Sequence, residues 1–188
     1  MNFLFAMSRS LRLHPMRVHP SAVAPAKASD PSGVRKPLAL QPQQFELDVD
    51  VPDVKRVLER AAEMISHAHG LDPAPVLRAL WRREQIGSTA IGHGVALPHA
   101  RISGIAEPLM LYMRPRYAVD FDAPDGRLVT RIWVILVPAD GSADDHLNLL
   151  ASVAEACSDE GLRARLDAAP TADDAARALR EWTQRHAA

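Results

Sequence analysis

Arg83-Glu84-Gln85-Ile86-Gly87-Ser88-Thr89-Ala90-Ile91-Gly92-His93-Gly94-Val95-Ala96-Leu97-Pro98-His99-Ala100-Arg101 is the stretch on which the reading of this chain turns. It predicts the end of a helix, a turn at Gly87, and two short strands interrupted by Gly92 and Gly94. His99 follows Pro98, whose ring fixes its own φ, removes a donor and biases Leu97 toward an extended conformation. A histidine at a strand end with so rigid a lead-in has a defined direction, which suits a nitrogen that must meet a reactant head-on. Taken alone, such a histidine caps a strand end more often than it reacts.

Around this stretch the charge is locally positive. Residues 78–101 carry Arg78, Arg82, Arg83 and Arg101 against Glu84, a setting for a phosphate or an acidic partner, although clustered arginines are commonly just solvated. Over the whole chain the net charge is −1. Residues 1–36 hold six basic side chains against Asp30, so the remainder is acidic, which argues against a nucleic-acid-binding domain. A length of 188 residues fits one domain with a real core, and no apolar run approaches a membrane span. The single cysteine, Cys157, excludes an internal disulfide framework and agrees with a reducing, cytoplasmic setting.

Residues 1–44 read as a basic, disordered tail. Pro15, Pro20, Pro25, Pro31, Pro37 and Pro42 fall among alanine and serine without periodicity. A secretory signal fits poorly, because the apolar piece at residues 3–7 is short and the basic residues follow it. The domain is expected over residues 45–188. Val54, Val57, Leu58, Ala61, Ile65 and Ala68 have helical spacing, with Asp50 as cap, Pro52 in the first turn and Gly70 as the stop. Asp72-Pro73 opens a second helix. Strands are expected at residues 89–91, 95–97, 109–113 and 132–137, the last an apolar run buried on both faces. Ser142 with Asp145 and Thr171 with Asp174 are capping patterns for later helices, with a short helix around Leu162 and Leu166 between them. The order helices, strands, helices predicts a single-domain α/β fold: a mixed β-sheet flanked by helices.

His146 shares the apolar helix face of Leu149 and Leu150, and read alone it is a structural histidine. If it faces the cleft of His99, one neutral imidazole can act as nucleophile while the other donates to a bound anion. Arg83 would supply a planar fork for phosphate oxygens. His67 and His69 end the first helix, where a cation suits the dipole, and no set of metal-ligand spacing joins them. His93 reads as an exposed turn residue, and Cys157 has no activating partner in the sequence. No nucleophile elbow and no P-loop is present, so esterase and nucleotide chemistry lack support.

Together Arg83-Glu84, Gly87-Ser88-Thr89, Ile91-Gly92, residues 94–99, Phe121-Asp122, residues 136–139 and His146-Leu147 with Leu150 resemble enzyme IIA components of the phosphotransferase system. The likeness is to the mannitol/fructose class and its stand-alone nitrogen-regulatory branch, and it spans roughly residues 46–185. It implies the mannitol-type enzyme IIA fold. It implies His99 as the acceptor of a phosphoryl group from an HPr-type histidine phosphocarrier, held as tele-phosphohistidine. His146 and Arg83 match the residues beside the phosphate, and Ser88 and Thr89 are further candidates to hold its oxygens. Neither metal nor cofactor is implied. Ala100 stands where many members have glycine, and alanine restricts positive φ.

The resulting expectation is a regulatory phosphocarrier whose two forms bind different target proteins, with no nucleic acid and no membrane insertion. No IIB-like cysteine domain or permease segment accompanies the domain. The alternatives are a sugar-uptake IIA component that serves a separate fructose or mannitol IIB permease, and a non-catalytic or metal-binding module.

Overall fold

A computed structural model describes residues 38–186. A 3₁₀ turn at Pro42–Gln44 leads into β1 (Phe45–Val49), α1 (Val54–His69) and α2 (Pro73–Ile86). Then come β2 (Ala90–Gly92), β3 (Val95–Ala96), β4 (His99–Ile102), β5 (Leu109–Pro115) and β6 (Arg131–Pro138). Helices α3 (Ala143–Ser158), α4 (Glu160–Ala168) and α5 (Ala172–His186) complete the fold.

The apolar run of β6 organises everything else. Trp133, Ile135 and Val137 pack into a core beneath α3, α4 and α5. Ile132, Val134 and Leu136 pack into a second core beneath α1 and α2. Successive side chains of a strand point to opposite faces, so a strand covered on both sides must be apolar at every position. The molecule is thus a helix–sheet–helix sandwich around a mixed sheet, as the sequence predicts.

The sheet order is β1-β5-β6-β3-β2, with β4 also paired to β6. β5 runs antiparallel to β6, β1 parallel to β5, and β2 antiparallel to β3. β3 and β4 both run parallel to β6, one after the other. The interruption between them is Pro98, which has no N–H to give the ladder. Its carbonyl still accepts from Ile135 N at 2.9 Å, and pairing resumes at His99 opposite Ile135. His99 therefore opens a strand, where the sequence suggested that it closes one.

Three further expectations change. β1 was not anticipated, although Phe45, Leu47 and Val49 alternate; its pairing partner, β5, lies more than sixty residues away in sequence. Asp53, not Asp50, caps α1: its carboxylate accepts from Arg56 N at 2.8 Å, and Pro52 lies before the helix. The tail does not extend to residue 44, because Leu38 and Leu40 are 3% and 1% exposed against α5, where Thr183 Oγ1 donates to Leu38 O at 2.7 Å. Residues 1–37 lie outside the described residues. The other capping expectations hold: Asp72 accepts from Ala74 N, Ser142 from Asp144 N and Asp145 N, and Thr171 from Asp174 N.

Candidate functional site

His99 is held by both ring nitrogens. Its Nδ1 lies 2.8 Å from Leu97 O, and its Nε2 lies 3.0 Å from Arg83 Nε. A carbonyl oxygen only accepts and a guanidinium only donates, so these partners assign the proton to Nδ1 and leave the lone pair on Nε2. Burial lowers the pKa of His99 most. The Leu97 hydrogen bond works against that, the Arg83 charge adds to the lowering, and Glu84 opposes it. The result is a neutral imidazole at pH 7 with its nucleophilic nitrogen defined.

Arg83 sits in the last turn of α2, and its fork is shared. Nε serves His99, Nη1 donates to Gly87 O at 2.9 Å, and Nη2 has no partner among the described residues. That geometry holds the guanidinium plane beside Nε2, where phosphoryl oxygens would lie.

His146 comes from the first turn of α3 and lies against His99. Its ring stands edge-on to that of His99, with centroids 5.5 Å apart and planes at 72°. Its Nε2 is buried without a hydrogen-bond partner. Burial lowers its pKa first, with smaller contributions from His99 and Arg101. A buried polar nitrogen left unpaired is costly, and a bound anion would satisfy it. Arg101 was not singled out for a role from sequence; its guanidinium grips Gly141 O at 2.8 Å and Ser142 O at 3.4 Å, just ahead of the helix that carries His146.

Ser88 and Thr89 line a cleft with Arg83 and His99, but their hydroxyls are committed to the protein. Ser88 Oγ donates to Phe121 O and accepts from Ala90 N. Thr89 Oγ1 donates to Glu84 Oε2 at 2.6 Å. Their side chains thus build the loop, and Glu84 enters the site as its anchor. The cleft encloses about 310 Å³, with Leu97, Leu150 and Ala154 as its apolar lining. Ile91, 42% exposed, also lines it, and Ile86 and Leu147, neighbours in sequence of Gly87 and His146, are 80% and 63% exposed. Ala100 is buried in β4.

The remaining candidates lie elsewhere. His67 and His69 are exposed at the end of α1. His93 is an exposed turn residue with φ 54°, and its N–H donates to Asp125 Oδ2 at 2.8 Å. Burial pushes the Cys157 thiol up to about 12, which makes it a packing residue. Among the described residues no three His, Cys, Asp or Glu side chains gather as a metal site. Nor is any helix among them long and apolar enough to cross a membrane.

Residues 39–182 match the family described as "Phosphoenolpyruvate-dependent sugar phosphotransferase system, EIIA 2", and the chain belongs to it. It is 36% identical over 141 residues to a nitrogen regulatory protein of Pseudomonas aeruginosa, covering 74% of this chain and 91% of that protein. The crystal structure of nitrogen regulatory protein IIA-Ntr from Neisseria meningitidis superposes with a TM-score of 0.69 at 34% identity, covering 74% of this chain and 94% of that one. The IIA mannitol structure from Escherichia coli shares the fold, with a TM-score of 0.63 at 18% identity, covering 76% and 99%.

Proposed function

We propose that this protein is a phosphocarrier that accepts a phosphoryl group on His99 Nε2 from an HPr-type histidine carrier. The observation that carries this is the fixed tautomer: Nδ1–H donates to Leu97 O, and the lone pair stays on Nε2, where it accepts from Arg83 Nε beside the ring of His146. In the transfer Arg83 Nε–H first gives up the Nε2 lone pair and turns to the phosphoryl oxygens; the donor's N–P bond then breaks as the Nε2–P bond forms, and the leaving imidazole keeps the bonding pair. The Nδ1–H to Leu97 O bond steadies the positive charge that develops on the ring as Nε2 attacks. Arg83 and the Nε2–H tautomer of His146 hold the equatorial oxygens, the charge stabilisation that phosphoryl transfer requires. The exposed apolar side chains of Ile91, at the cleft, and of Ile86 and Leu147, next in sequence to Gly87 and His146, would offer the carrier a surface to dock on.

The likeness to nitrogen regulatory proteins supports a regulatory role in the cytoplasm, in which the free and phosphorylated forms bind different target proteins. A group carrying added negative charge at the mouth of the cleft changes which partner surfaces are complementary. The test is incubation with phosphoenolpyruvate and the upstream carrier proteins. One acid-labile phosphate per chain is expected, and none on His99→Ala. Equal labelling of that variant would falsify the assignment. Efficient onward transfer to a fructose- or mannitol-type IIB domain would replace regulation by sugar uptake.

A further inference from the structure

Glu84 touches neither His99 nor Arg83 by hydrogen bond, yet both supports of the imidazole hang from it. Its Oε1 accepts from Thr89 N at 3.0 Å and its Oε2 from Thr89 Oγ1 at 2.6 Å. Both carboxylate oxygens are thereby used to close the turn that joins α2 to β2. Two hydrogen-bonded routes leave this closed turn. Along one, Gly87 O, within the turn, accepts from Arg83 Nη1 at 2.9 Å, and Arg83 Nε donates to His99 Nε2 at 3.0 Å. Along the other, Thr89 O accepts from Leu97 N at 2.9 Å, and Leu97 O accepts from His99 Nδ1 at 2.8 Å. Thr89 is only 4% exposed, so water does not compete for its donors.

The carboxylate is satisfied by neutral donors, and among the described residues it makes no ion pair with Arg83 or any other cation. A negative group placed one residue from a site arginine would be expected to neutralise it. Here it is turned to the backbone instead, which leaves the guanidinium's charge for the phosphate.

We infer that Glu84 is a positioning residue for phosphoryl transfer: by clamping Thr89 with both oxygens, it sets the tautomer and direction of His99 through Arg83 on one side and Leu97 on the other. This rests on the phosphocarrier reading for its rate effect, whereas its effect on the His99 tautomer stands apart from that reading. A glutamine at 84 can accept from Thr89 N through its oxygen and donate its Nε2–H to the Thr89 hydroxyl, so it keeps both contacts without the charge. Alanine keeps neither.

The experiment records long-range ¹H–¹⁵N spectra of the His99 ring in the full chain near pH 8, together with single-turnover transfer from phosphorylated HPr-type carrier. Wild type is expected to show the Nδ1–H tautomer alone. Glu84→Ala is expected to show both tautomers and transfer about 10- to 100-fold slower, the size of effect that misplacement of a reacting group produces. Glu84→Gln, which keeps both contacts to Thr89, should stay close to wild type on both readouts. If Glu84→Ala does not fold, Thr89→Val, which removes only the Oγ1 bond, should move both readouts in the same direction and less far. A single Nδ1–H tautomer in Glu84→Ala overturns the inference, whether or not the rate falls. So does Glu84→Gln behaving as Glu84→Ala, because that outcome assigns the effect to charge. Should wild type take no phosphate, the phosphocarrier reading fails, while the tautomer comparison still decides the role of Glu84.

Discussion

His99 and His146 meet edge to face, with ring centroids 5.5 Å apart, although 46 residues lie between them in sequence. One is fixed by two hydrogen bonds; the other has a buried Nε2 with no partner. The proposed division of tasks follows that inequality: the constrained ring would attack, and the unsatisfied ring would bind what is transferred. Replacing His146 by alanine is expected to slow phosphoryl acceptance on the order of 10²-fold, as loss of one preorganised donor does. His146→Gln, which retains an N–H donor, should recover part of the loss. Quenched-flow labelling with the phosphorylated carrier measures both.

Arg83 cannot be exchanged for lysine without loss. An ammonium has no planar fork with which to meet His99 Nε2 and Gly87 O together. Arg83→Lys is therefore expected to lower the transfer rate about tenfold or more while the melting temperature changes little. An unchanged rate would show that charge alone suffices at this position.

Burial lowers the pKa of both histidines, which gives a pH dependence of definite sign. The unfolded chain takes up these protons near pH 6.5, before the folded protein does. In the window below about 6.5 the unfolded state binds more protons, so stability falls as the pH drops toward the folded values and is fully present above about 6.5. Urea unfolding at pH 7.5 and 5.5 should show this loss, and the double variant His99→Ala with His146→Ala should reduce it. Phosphoryl acceptance should be flat above about pH 6.5 and fall once Nε2 of His99 is protonated.

Leu40 belongs to the core formed with α5, and it is almost fully covered. Leu40→Ala is expected to cost about 2–4 kcal/mol, the range for a buried leucine whose neighbours relax only in part. Chemical denaturation with an unchanged slope would locate that loss in the folded state. A cost below about 0.5 kcal/mol, ordinary for an exposed site, would place the start of the folded domain further along the chain.

Much of this fold was legible in the residues. The apolar run of β6, the spacing of α1 and the caps at Asp72, Ser142 and Thr171 are local signals, and local geometry reads them. Asp50 was the wrong cap because two aspartates flank Pro52, and only the placement of Arg56 N decides between them. The likeness to IIA components pointed to His99, His146 and Arg83. The need to hold phosphoryl oxygens also suggested the hydroxyls of Ser88 and Thr89, which are taken by Phe121 O and Glu84.

Sequence by itself determined the elements whose stabilisation is periodic or adjacent: helices with one apolar face, a central strand apolar throughout, and caps within one turn. It also determined that Pro98 precedes His99, which breaks the ladder there. Tertiary structure alone decided what depends on distant partners. β1 exists because β5 lies beside it, and Leu38 and Leu40 are core because α5 covers them. The state of His99 was decided there too. An imidazole has two nearly equal tautomers until a carbonyl and a guanidinium meet its two nitrogens, and the guanidinium arrives on a helix 16 residues away in sequence.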